Sequence, residues 1–183
     1  MNWSLHNNGV LISIKPKWCA LIASGAKTVE IRKSRPSIAT PFKCYIYCTK
    51  PNTHNPNEII ETHNYVDGGI YRCNGKVMGW FVCDGIAPIT FDEDGVPTLH
   101  HWGNPTDWRA CVSAEEARKY CGDTNRRGLF AWHITNYTTY DKPKELKCFQ
   151  SPQTIPKHRL YQVPQSWCYV EELEEYGLEM EFR

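Results

Sequence analysis

The spacing of hydrophobic residues changes twice within the first fifty positions, and those changes outline the first elements of the chain. Val10 to Ile14 is a short apolar run that predicts a strand, preceded by a polar, loose end over residues 1–9. From Pro16 to Ser24, Trp18, Leu21 and Ile22 recur at the i, i+3, i+4 spacing of one buried helix face, and Pro16 suits a first helical turn. Gly25 follows where a helix commonly ends on a left-handed residue, a conformation that glycine takes without steric cost. From Thr28 the period drops to two, so Val29 and Ile31 face one side of a strand while Thr28, Glu30 and Arg32 face the other. Glu30 and Arg32 then project together, about 7 Å apart along the strand. Lys27 stands at the helix-to-strand turn, within reach of the same face.

The later chain alternates between strand patterns and polar stretches. After a proline-bounded loop from Pro36 to Pro41, Phe42, Cys44, Ile46 and Cys48 line one side of a strand, and Lys43, Tyr45 and Tyr47 mark a half-exposed second side. Residues 49–74 lack sustained periodicity and read as an insertion. Gly75 to Ile86 returns to strand character, with Val77, Trp80, Phe81, Val82 and Cys83 in the sheet and Gly79 marking a bulge or a close backbone approach. A second insertion, a long loop, spans 88–110, with a hairpin-like tip at Asp92-Glu93-Asp94-Gly95. Ser113-Ala114-Glu115-Glu116 is a capping box that opens a helix running to about Tyr120 and stopping at Gly122. Leu129 to Thr135 is a strand containing Trp132 and His133. Residues 141–159 form an extended, solvent-exposed connection, and Trp167 to Glu171 is the last strand, ahead of an acidic tail over 172–183. Neither an internal repeat nor a linker divides the chain, so a single domain over 1–183 is expected.

Composition narrows the class. With 183 residues, 41% hydrophobic and 13% aromatic, the chain can bury a sizeable core. The sequence has no run near the roughly 20 apolar residues of a membrane helix and no signal-peptide pattern. Nine cysteines, an odd number scattered singly, suit free thiols in a reducing compartment better than a disulfide framework. A soluble, cytoplasmic protein without a membrane partner is the expectation. Net charge is only +1, but it is unevenly spread: residues 1–50 carry eight basic groups against Glu30 alone, and residues 171–183 carry six glutamates against Arg183. The basic segment can supply phosphate contacts.

The chemistry centres on Gly25, Lys27, Glu30, Arg32 and the adjoining Lys33. Lysine and arginine can meet a phosphate or a base edge, and a carboxylate can accept from a base amino group. Gly-x-Lys-x-x-Glu-x-Arg after a short helix resembles the signature of the ASCH domain, related to the PUA-like β-barrels. Two flanking blocks are similar to stand-alone ASCH proteins of bacteria and phages: Ile12-Ser13-Ile14-Lys15-Pro16-Lys17, and Pro164-Gln165-Ser166-Trp167-Cys168-Tyr169-Val170-Glu171. The resemblance covers roughly residues 10–48, 75–86 and 128–171. It implies an α+β, PUA-like β-barrel of mixed sheet with flanking short helices, and a cleft that binds RNA, a nucleoside or a nucleotide. Lys27, Glu30 and Arg32 line that cleft, with Trp132, His133, Gln165, Ser166 and Trp167 as further ligand-binding candidates.

Enzymatic readings stay open. ASCH-like proteins include a small bacterial amidohydrolase that deacylates acylated cytidine with a motif lysine, a threonine and a glutamate. This sequence matches the lysine at Lys27, has Glu30 in place of the threonine, and offers Glu115 or Glu116 only loosely for the glutamate. A ribonuclease activity is also associated with some ASCH proteins. In either case Lys27 and Glu30 are the catalytic candidates, Lys27 favoured in its neutral form by the positive neighbours Arg32 and Lys33. Tyr45, Tyr47, Trp132 and Trp167 could stack bases, whereas Trp18 and Trp80 read as core. No metal and no cofactor are expected. Cys44 and Cys48 share a strand face but lie about 13 Å apart, too far for one zinc ion. His54, His63, His100 and His101 show no ligand rhythm, and no phosphate-cradling glycine loop occurs.

Overall fold

A computed structural model describes residues 8–51, 58–93, 97–99, 109–122, 128–152 and 158–173. The first strand is β1 (Asn8–Ile14), followed by helix α1 (Pro16–Ala23), β2 (Val29–Arg32) and β3 (Phe42–Cys48). Next come β4 (Glu61–His63), β5 (Ile70–Arg72), β6 (Lys76–Cys83), β7 (Ile86–Phe91) and β8 (Pro97–Leu99). Helix α2 (Ala114–Cys121), β9 (Leu129–His133), β10 (Thr135–Lys144) and β11 (Trp167–Glu171) complete the order. Five strands form a mixed sheet in the order β10-β6-β3-β1-β11, in which β1 and β3 run parallel. Four form an antiparallel sheet in the order β2-β9-β7-β8, and β4 and β5 make a separate hairpin. This is the expected α+β class with mixed sheet and two short helices. The ladders of the two sheets do not join into a closed ring among the described residues.

A shared core holds the two sheets together. Val10, Ile12 and Ile14 of β1, Cys44 and Ile46 of β3, Phe81 of β6 and Trp132 of β9 are all buried in it, with Cys19 and Ile22 of α1 packed on top. Helix α1 therefore buries a face centred on Cys19 and Ile22, while Trp18 and Leu21 flank it half-buried. The expected helix face is thus rotated by one position. All nine cysteines are free thiols. Gly79 sits where β3 and β6 slip register between Ile46 and Tyr47, and a Cβ there would lie 2.2 Å from the Thr138 carbonyl oxygen of β10. The glycine allows the backbones of β6 and β10 to meet.

Several expectations need correcting. The loose end does not extend to residue 9, because Asn8 and Gly9 already pair with Glu171 and Val170 of β11. The second face of β3 is not half-exposed: Tyr45 and Tyr47 are buried under Leu146 and Phe149, from a 3₁₀ turn at Leu146–Cys148 and the residue after it. That turn belongs to the stretch 141–159, whose first four residues extend β10, so the stretch is more than an exposed connection. The segment 49–74 holds the β4–β5 hairpin, whose strands are too short for a period to register. The segment 88–110 starts as strand β7, paired with β9 from Ile86 to Ile89. Pro88 concealed it; β8 pairs only from Ile89 onward, so Pro88 lies where β7 is still an edge and needs no amide donor. Strands β7 and β8 pair antiparallel, while Asp94 and Gly95 of the expected hairpin tip and the acidic tail from 174 lie outside the described residues. Among the described residues no helix is long and apolar enough to cross a membrane.

Gly79→Ala forces a carbon against the β10 backbone, and overpacking of that kind costs about 1–3 kcal/mol. Chemical denaturation should show a lower midpoint with the slope unchanged.

Candidate functional site

The turn after α1 carries the site. Gly25, at φ 72°, donates its N–H to the Ile22 carbonyl, and Lys27 N–H reaches back to the Leu21 carbonyl, so the chain reverses within three residues. Strand β2 then pairs with β9 from Val29↔His133 to Arg32↔Phe130. Val29 and Ile31 pack towards α2, with Ala117 and Cys121, and the opposite face is left to Glu30 and Arg32. The period-two pattern had separated the same two sets.

These three charged side chains are buried, not solvated: Lys27 is 2% exposed, Glu30 6% and Arg32 7%. The Glu30 carboxylate bridges the two cations, with Oε1 3.0 Å from Arg32 Nη2 and Oε2 3.5 Å from Lys27 Nζ. Lys27 also donates to the Ala110 carbonyl oxygen, and Arg32 donates to the Ser13 carbonyl at 2.7 Å and to Ser166 Oγ at 3.5 Å. The segment around Ala110 is fixed to β2 by Thr28, whose N–H donates to the Arg109 carbonyl and whose hydroxyl accepts from Arg109 N–H. Burial lowers the Lys27 amine below its usual range, and the nearby Glu30 carboxylate opposes that effect. The sequence assigned the lowering to Arg32 and Lys33; desolvation is the larger cause, and Arg32 adds only a minor contribution.

Lys27, Glu30 and Arg32 line a cavity of about 740 Å³ between α1, β2, α2 and the ends of β1 and β3. Trp18 and Tyr120 supply aromatic walls, while Lys15, Lys17, Lys50, Glu58 and Glu116 bring further charge. Lys17 Nζ lies 4.3 Å and Lys27 Nζ 5.0 Å from the Trp18 ring centre. Burial raises the Tyr120 phenol above its usual range, while the neighbouring Arg32 pulls it down.

Of the residues singled out from sequence, Gln165 joins the triad in the cavity wall and Ser166 supports Arg32 from behind. The others lie elsewhere. Gly25 shapes the turn, and the Lys33 amine stands 5.1 Å from the Tyr120 ring centre without lining the cavity. Trp132 is fully buried against Phe42 and Trp167 and offers no free face. Trp167 donates to Ser34 Oγ, and His133 Nδ1 is 2.7 Å from Asp84 Oδ1. Trp18, expected in the core, packs against it half-buried and also forms a cavity wall. Tyr120 was missed altogether, since its position on a short surface helix carried no signal. Lys15 and Lys17 stood in the motif's entry block, given only the phosphate contacts expected of the basic segment as a whole.

Fold and site together describe a small α+β domain whose mixed sheet opens, beside a helix-to-strand turn, on a charged and aromatic cavity. That description matches solved structures of an ASCH protein from Zymomonas mobilis. One superposes with a TM-score of 0.55 at 19% identity over 88% of this chain and 86% of that one. Point variants of the same protein give 0.54 at 18% identity, over 88% of this chain and 87–88% of theirs. The chain thus has the fold of that ASCH protein. No family model and no curated protein matches it.

Two measurements check the electrostatics. Removing the carboxylate in Glu30→Ala leaves two cations uncompensated in a buried site, which costs about 3–5 kcal/mol and is read from urea unfolding. The lowered Lys27 value means that, approaching pH 10.5, the unfolded chain binds more protons at this position than the native one. Stability contributed by Lys27 therefore rises with pH between its native value and 10.5. The wild-type curve minus the Lys27→Met curve should rise across that window; a flat difference would mean that Lys27 titrates normally.

Proposed function

We propose that this protein binds RNA or a nucleotide, taking one base into the cavity lined by Lys27, Glu30 and Arg32. The observation that carries the reading is the Glu30 carboxylate held between two buried cations at the wall of a cavity that also presents the rings of Trp18 and Tyr120. Buried ion pairs are weak contributors to stability, and perturbed charged groups gathered in a cleft are candidates for contacting a ligand. The volume lies within the range of small-molecule sites, about 300–1,000 Å³. Trp18 and Tyr120 provide stacking surfaces, and Glu30 can accept from an exocyclic amino group. The ASCH fold favours the same ligand class.

Native gels with end-labelled single-stranded RNA, run over a salt series, test the reading. The wild type should give a salt-sensitive shift with the RNA intact, and Lys27→Met and Glu30→Gln should each weaken it about tenfold or more. An unchanged shift in both variants would remove the cavity from the account.

A second reading, a hydrolase acting on an acylated nucleoside or on RNA, is favoured by the lowered Lys27 amine beside an orienting carboxylate. Here Lys27 acts as base or nucleophile and Glu30 orients it. Incubation with acylated cytidines, followed by mass analysis, should show loss of the acyl group in the wild type and none in Lys27→Met. Unaltered substrate would exclude the amidohydrolase, and intact RNA on denaturing gels would exclude the ribonuclease.

A further inference from the structure

The cavity's mouth has chemistry that the base-binding triad does not use. Strands β1 and β3 run parallel in register to Ile14↔Cys48, and the Thr49 N–H donates to the Ile14 carbonyl at 2.9 Å. Both carboxyl ends consequently open at one place, which puts Lys15 and Lys50 in the same cavity wall with Lys17 in the first turn of α1. Carboxyl ends of parallel strands are a recurrent place for ligands, because the chains diverge there and leave a crevice. The stem of Lys50 lies against Gly75, which has no side chain to displace it: a Cβ at that position would be 3.0 Å from Lys50 Cε.

The charge is in excess. Among the described residues, five basic and three acidic side chains line the cavity. Glu30 is taken up by Lys27 and Arg32, and Glu116 by the Ser113 N–H at 2.9 Å and by Lys17 at 3.6 Å. Glu58 remains to oppose Lys15 and Lys50.

We infer that Lys15, Lys17 and Lys50 form a phosphate subsite at the mouth of the cavity, so that the preferred ligand is a nucleotide, entering base first, and not a free nucleoside. This rests on the cavity being the base site proposed above. The phosphate can belong to a free mononucleotide or to an RNA strand, and both present the same anionic oxygens to the three amines.

Calorimetric titration with the four ribonucleosides, their 5′-monophosphates and a short single-stranded RNA separates the possibilities. The monophosphate of the favoured base should bind about tenfold or more tighter than its nucleoside. The double variant Lys15→Gln/Lys50→Gln should erase that ratio and flatten the salt dependence of nucleotide binding while leaving nucleoside affinity unchanged. Both lysines are exposed, so the variant should keep the wild-type melting temperature. Equal affinity for nucleoside and nucleotide, or a ratio that survives the double variant, would overturn the subsite and leave the base site standing. Failure of all three ligand classes to bind would overturn the base site and the subsite together. Preference for the RNA over the monophosphate, lost in the double variant, would assign the subsite to a strand phosphate.

Discussion

The structure depends on keeping one carboxylate and two cations out of water together. Glu30 is acceptable at 6% exposure only because Lys27 and Arg32 reach it, and they are acceptable only because Glu30 and nearby oxygens answer them. The requirement spreads through the fold. Arg32 draws in the Ser13 carbonyl of β1 and the Ser166 hydroxyl ahead of β11, so one guanidinium joins the edge strand of one sheet to two neighbouring segments of the other. Lys27 similarly engages the Ala110 carbonyl and so anchors the segment leading into α2. A charge cluster of this kind contributes little net stability, and its hydrogen bonds tie β2 and the turn before it to Ser13, Ala110 and Ser166 in one arrangement.

That arrangement creates the cavity. Gly25 permits a reversal that brings β2 alongside α1, so Trp18 on the helix and Glu30 on the strand face the same space. Helix α2 covers the other side of β2 through Ala117 and Cys121 and brings Tyr120 into the cavity wall. A buried amine with a lowered proton affinity, aromatic walls and a basic mouth are suited to a planar, hydrogen-bonding ligand that carries negative charge. Base recognition and amide hydrolysis need the same elements, and the chemical fate of the ligand distinguishes them.

Much of the fold was legible in local pattern. The ends of α1, the alternation in β2, the capping box of α2 and the limits of β11 follow from rules that act over a few residues, and the structure has all of them. The same holds for the motif at Lys27, Glu30 and Arg32. Strand β7 was not legible because Pro88 is a poor strand residue except at an unpaired edge, and which edge is unpaired depends on β8. Tyr45 and Tyr47 looked half-exposed because alternation reports two faces of a strand, not whether a distant segment covers the second.

By itself the sequence determined the elements and the charged set, since periodicity, capping and turn chemistry operate between near neighbours. Only the tertiary structure decided what that set does physically. Burial of the triad, the lowered amine of Lys27, the second role of Trp18 as a cavity wall and the arrival of Tyr120 all need contacts between residues far apart in the chain. Desolvation is the reason: the electrostatic character of a lysine or a glutamate depends on how much water the surrounding segments exclude, and that is settled only when the sheets and helices pack.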